Sequence, residues 1–143
     1  MSVATFSAGG FGHCHSFAWS PDSNVGLGVA PVLADEIQSQ TRKQLENVGL
    51  SLVAHGDTQP AEIIVRLNSF GSSGPGPLTL AIEVYDAQSN ALMWRGEGKP
   101  VLDRSEIGAN LLIVDRTIVK MFAHFPYHLN GWMSGVRTLN ILS

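Results

Sequence analysis

The chain has 143 residues, 44% hydrophobic and 15% charged, with a formal net charge of −3. This composition fits one globular domain and excludes the clustered basic footprint that nucleic-acid binding needs. Its nine Lys and Arg residues are scattered, its one cysteine excludes an intrachain disulfide, and its longest apolar runs, such as Leu111 to Val114, are far short of the ~20 residues of a membrane span. The expectation is a single domain over residues 1–143, with no nucleic-acid partner and no transmembrane segment.

Residues 1–12 are small and Gly-rich and read as a flexible arm or an irregular first edge strand. They lack a positive n-region and an apolar h-region, so no signal peptide is expected in the chain as given. His13-Cys14-His15-Ser16-Phe17-Ala18-Trp19 alternates, placing His13, His15, Phe17 and Trp19 on one face of a strand that Ser20-Pro21 ends. Gly26-Leu27-Gly28 is a lone GxG without a third glycine, which favours a loop over a dinucleotide site. Leu33, Ile37, Leu45 and Val48 then recur at helical spacing. They predict a helix over Val32 to Val48, with Asp35 and Glu36 in its first turn and Gly49 as its left-handed cap.

Leu50 to Ala54 and Glu62 to Asn68 read as two strands, and the Gly/Pro/Ser run from Gly71 to Pro77 as a connector. The strongest signal in the chain is the hairpin Leu78 to Gly96. Leu78, Leu80, Ile82 and Val84 alternate with polar or small residues, then Asp86-Ala87-Gln88-Ser89-Asn90 turns the chain into Leu92 and Trp94. Facing Val84 with Leu92 and Ile82 with Trp94 gathers the large apolar residues on one face and leaves Glu83 and Arg95 as diagonal neighbours on the other. Lys99-Pro100 stops the strand. Asn110 to His124 reads as a second helix with Leu111, Val114, Ile118, Met121, Phe122 and Phe125 inward, ended by Pro126. The tail, residues 127–143, alternates weakly over Val136 to Leu142 as a sixth strand would. It is also too apolar to be left free, which points to docking on its own domain or a neighbour's.

Phe17-Ala18-Trp19, Leu45 with Gly49, Leu80-Ala81-Ile82-Glu83-Val84-Tyr85-Asp86-Ala87 running to Trp94-Arg95-Gly96, and Met121-Phe122-Ala123-His124-Phe125-Pro126 together resemble the bacterial domain of unknown function 4136. The resemblance covers about Cys14 to Pro126, and its most specific part is the D-A-x-x-x-x-L-x-W-R-G segment of the hairpin. It implies a small α+β domain, commonly carried by envelope lipoproteins, hence a bacterial cell envelope or periplasmic location. It implies no established activity and supplies no catalytic residues. The chain departs from that pattern at Cys14, preceded by Phe11-Gly12-His13 instead of the small apolar residues of a lipoprotein cleavage site, and in the seventeen residues after Pro126.

His13 and His15 point two imidazoles to one face of a strand, a start for a metal site with His55, His124 or His128 as a distant third ligand. The competing reading is exposed histidines beside a loop. Cys14 has no sequence neighbours that would activate it and reads as a small buried hydrophobe. No Gly-x-Ser-x-Gly elbow occurs, Asp35-Glu36 is explained by the helix dipole, and Glu83 by Arg95, so no catalytic motif is found and no cofactor is called for. Trp19, Trp94 and Phe122 are candidate ligand-binding residues if a pocket lies between sheet and helices, against the plainer reading of core aromatics. Tyr127, His128, Trp132 and Met133 are candidate interface residues.

The predicted fold is α+β: a twisted, mainly antiparallel sheet of five or six strands with two helices packed on one face, in the order β-α-β-β-β-β-α, then the tail. The leading functional expectation is a non-enzymatic interaction module that self-associates, with a homodimer as one form. The alternatives are a small-molecule binder and, behind it, a metal binder.

Overall fold

The computed structural model describes residues 3–7, 14–21, 23, 31–53, 60–71, 76–102 and 107–125. The elements are β1 (Val3–Ser7), β2 (Ser16–Trp19), α1 (Pro31–Asn47), β3 (Ser51–Leu52), β4 (Ile63–Gly71), β5 (Gly76–Asp86), β6 (Leu92–Gly98), β7 (Val101–Leu102) and α2 (Ile107–Phe122). The sheet runs β1-β6-β5-β4-β2-β3. It is open and mixed: the β1/β6, β6/β5 and β5/β4 pairs are antiparallel, and β2 is parallel to both β4 and β3. The α+β class, the two helices and the order β-α-β-β-β-β-α match expectation. β1 is the addition, and of the two readings offered for the N-terminal stretch it is the edge strand.

One face of the sheet carries the core. Val65 and Leu67 of β4 pair with Val84 and Ile82 of β5, Ile63 and Leu80 lie on the same face, and Phe17 of β2 lies opposite Ile63. These residues are buried together with Leu33, Ile37 and Leu45 of α1 and Val114, Ile118 and Met121 of α2. Thr41 completes the buried stripe of α1 because its hydroxyl is satisfied within the helix, donating to the Ile37 carbonyl at 2.7 Å. The helix ends as its sequence dictates. Gly49 has φ 105°, its N–H donates to the Glu46 carbonyl, and Leu50 N–H reaches back to Leu45, the paired bonds of a Schellman cap. Because α1 begins at Pro31, Asp35 and Glu36 fall in its second turn, which withdraws the helix-dipole explanation for them.

The hairpin forms in a different register from the expected one. Val84 pairs with Trp94, Glu83 with Arg95 and Ile82 with Gly96, while Tyr85 pairs with Leu92. Met93 is therefore an extra residue on β6, a bulge that turns Leu92 away from the face of Trp94. Leu92, Met93 and Trp94 are all apolar, so alternation alone fits more than one phase. The loop is held by Asp86, whose carboxylate accepts the N–H groups of Gln88 (2.8 Å) and Ser89 (3.1 Å), while Asn90 adopts φ 60° and donates to the Asp86 carbonyl. These bonds lower the Asp86 carboxyl below its ordinary value. Pro100 interrupts β6 without changing its register, since Gly76 and Pro77 of β5 pair with Leu102 and Val101 as a straight continuation would require. β7 is thus β6 resumed.

The phase set by the bulge brings Gly96 and Gly98 under α2. A Cβ at Gly96 would stand 2.5 Å from Cη2 of Trp94, and one at Gly98 2.4 Å from Cγ2 of Thr117. Bare backbone is what lets Trp94 fold back over β6 and α2 sit close to it. We expect Gly98→Ala to lower unfolding free energy by about 1–3 kcal/mol. In urea denaturation, Thr117→Ser, which removes that methyl and keeps the hydroxyl, should restore part of the loss. Gly108→Ala, with nothing within 4 Å of the new methyl, should instead stabilise by about 0.5–1 kcal/mol.

Candidate functional site

Among the described residues, three surfaces carry the polar and aromatic groups. The first is the helix-free face of the sheet. Glu83, its side chain 15% exposed, accepts from Arg95 Nε at 3.3 Å and from Asn68 Nδ2 at 3.3 Å, and lies 3.8 Å from Arg66 Nη1. Arg95 Nη2 reaches Glu97 at 3.2 Å. Two positive and two negative groups thus alternate across β4, β5 and β6. Glu83 and Arg95 are directly opposite in the ladder, not diagonal, which strengthens the pair the sequence suggested. Tyr85 stands beside this array, its hydroxyl pushed above the ordinary range by burial and then by Glu83.

The second surface is a groove at the carboxyl end of β2. One cleft of about 240 Å³ is lined by Trp19, Ser20, Ser23, Asp35, Gln38 and Leu67. A second, of about 300 Å³, shares Trp19, Asp35 and Gln38 and extends to Arg42, which is ion-paired with Glu46 at 3.2 Å. Trp19 lies edge-on to Phe17 with ring centroids 5.4 Å apart, so the core fixes one end of the indole while the rest borders the groove.

Of the three aromatic residues singled out for ligand binding, the structure brings Trp94 and Phe122 together and leaves Trp19 apart from them. Trp94 is 0% and Phe122 3% exposed. Their centroids are 5.2 Å apart, with Phe125 4.9 Å from Trp94. This is a packed aromatic cluster, and neither ring lines the Trp19 clefts. The Trp94 Nε1–H is buried with no hydrogen-bond partner among the described residues.

The third surface surrounds Cys14. A cleft of about 260 Å³ is lined by Cys14, Pro60, Ala61, Glu62, Asp86 and Gln88. Burial first, then the charges of Glu62 and Asp86, push the thiol above its ordinary value and away from the reactive thiolate. His15 is exposed, and its backbone N–H donates to Glu62 Oε1 at 2.7 Å. Glu62 N–H in turn donates to Ser16 Oγ, latching the start of β2 to β4. His13, the other half of the expected metal pair, lies outside the described residues, as do Tyr127, His128, Trp132 and Met133. No cluster of three metal-ligating side chains occurs among the described residues.

With the fold and these surfaces established, the chain can be set beside known proteins. No protein-family model matches it, and no curated protein does. Solved structures do match in fold. PelC from Paraburkholderia phytofirmans, a dodecamer, superposes with a TM-score of 0.62 at 16% identity, over 86% of this chain and 97% of that one. A DUF4136 family protein from Bacteroides thetaiotaomicron gives a TM-score of 0.60 at 10% identity, over 88% and 96%. A PDZ domain protein from Parabacteroides distasonis gives 0.61 at 15%, over 87% of this chain and 35% of that one. The family resemblance in the sequence is therefore supported as a distant structural relationship.

One polar contact had no sequence signal because it joins residues far apart in the chain. Glu36 of α1 meets Asp115 of α2, and Asp115 Oδ1 is buried without a donor among the described residues. A proton on Glu36 would let the two carboxyls share a hydrogen bond. The Glu36 carboxyl is accordingly raised above its ordinary 4.5, by the hydrogen bond to Asp115, then by desolvation and the Asp115 charge, with Lys43 opposing. A raised acid binds its proton more tightly folded than unfolded, so stability is greatest below the unfolded value and falls as pH rises through the folded one. Glu36→Gln should remove that decline. Denaturation midpoints followed from pH 4 upward should show a flatter profile and a more stable variant at neutral pH.

Proposed function

We propose that the chain is a non-enzymatic interaction module that works by self-association, through the open sheet edge or the aromatic tail. The observation that carries this reading is the one-sided architecture. Both helices lie on one face, and no described element covers the opposite face or the outer side of β1. A protein sharing this fold, PelC of Paraburkholderia phytofirmans, is a dodecamer, which supports assembly as a use of the architecture. Light scattering over a concentration range, on the intact chain and on a chain ending at Pro126, tests it. An oligomer that dissociates on truncation assigns assembly to the tail, and one that persists assigns it to the sheet. An intact chain that stays monomeric throughout overturns the proposal.

The groove beside Trp19 favours a second reading, small-molecule binding. Its aromatic wall is flanked by the carboxylate of Asp35 and the amide of Gln38, the mixture of apolar contact and orienting polar groups that ligand sites use. In a thermal-shift screen of small polar ligands, any compound that stabilises the chain should lose its effect in Trp19→Ala. Equal stabilisation of that variant would remove the groove from consideration.

A further inference from the structure

The two edges of the sheet differ. At one end β3 is only two residues long, and short edge strands resist strand addition. At the other, β1 offers five residues, Val-Ala-Thr-Phe-Ser, paired with β6 on one side and with no described strand on the other. Sheet edges are ordinarily guarded by a charge, a proline or a bulge, since an open row of N–H and C=O groups templates pairing with another chain. β1 contains no charged residue or proline, and its register with β6 is unbroken from Val3 opposite Gly98 to Ser7 opposite Trp94. Ala4 to Ser7 are exposed, and Phe6 is 52% exposed on the helix-free face, beside Arg95.

We propose that β1 pairs antiparallel with β1 of a second copy of this chain, about a two-fold axis passing Thr5, so that one sheet continues through both subunits. This rests on the self-association reading and specifies its interface. The register follows from using all five residues. Thr5 faces Thr5 of the partner subunit, a favourable cross-strand pair. Phe6 faces Ala4 of the partner subunit, large against small on the helix-free face. Val3 faces Ser7 of the partner subunit on the side of the helices. The partner is a second copy because the strand complements itself in this register, and an isologous contact closes at two subunits with the unguarded edge consumed. A head-to-tail arrangement would have to seat β1 on the two residues of β3.

The test uses the full chain. Sedimentation velocity over a concentration range should show a reversible dimer. Thr5→Lys, which sets two like charges face to face at the axis, should weaken it about tenfold or more, with the circular dichroism spectrum unchanged. In a Cys14→Ser background, Thr5→Cys should form an intermolecular disulfide on mild oxidation, since directly opposed Cβ atoms lie about 5 Å apart, whereas Phe6→Cys, set against Ala4 of the partner subunit, should not. If the wild-type chain associates but Thr5→Lys associates equally well and Thr5→Cys does not cross-link, the edge is not the interface and self-association stands by another surface. If the wild-type chain is monomeric at every concentration, the self-association reading falls, and this inference with it.

Discussion

The close seating of α2 on the glycine lane of β6 is the constraint on which the rest of the structure depends. Gly96 and Gly98 leave bare backbone where Trp94, Met121 and Thr117 need room. That fixes the height of α2 over the sheet, and with it the position of the aromatic cluster of Trp94, Phe122 and Phe125 that closes the end of the core. Met93 supplies the matching condition, because below its bulge Trp94 pairs with Val84 and both glycines share that face, toward the helix. α1 packs against α2 and β3, and its contact with α2 brings Glu36 to Asp115.

The consequence is a strongly two-sided molecule. The helix-bearing face is apolar and filled. The other is a lattice of charges on β4, β5 and β6 that largely satisfy one another, with Glu83 between Arg66 and Arg95. Partly exposed pairs of this kind add little to stability, roughly 0–1 kcal/mol each. Their effect is to keep that face ordered and wet, and to leave Phe6 at its margin as an exposed apolar group.

Much of this was legible in the chain. Period-two alternation found β4, β5 and β6, the i, i+4 stripes found both helices, and Gly49 announced its cap. The failures have physical causes. Val3 to Ser7 are mostly small or hydroxylated, so β1 lacks the apolar alternation of an interior strand and draws its strandedness from pairing with β6. Three apolar residues in a row hid the Met93 bulge. Thr41 and Thr117 are buried although polar, because each hydroxyl donates to a carbonyl one turn back at 2.7 Å. The sites were less legible than the fold. Trp19, Trp94 and Phe122 are all aromatic residues on core-facing positions, and only the tertiary structure shows that two are sealed in packing while the third borders a groove.

Because the extra residue of the hairpin lies beside its loop, insertions and deletions there are absorbed at the tip, where Asp86 and Asn90 close the turn. A one-residue insertion or deletion between Trp94 and Gly98 has no such outlet. It would swing the side chains of Arg95 and Glu97 beneath α2 and carry the glycines to the solvent side. The hairpin is therefore free to drift in length at one end and frozen at the other, and the boundary between the two regimes is the single residue Met93.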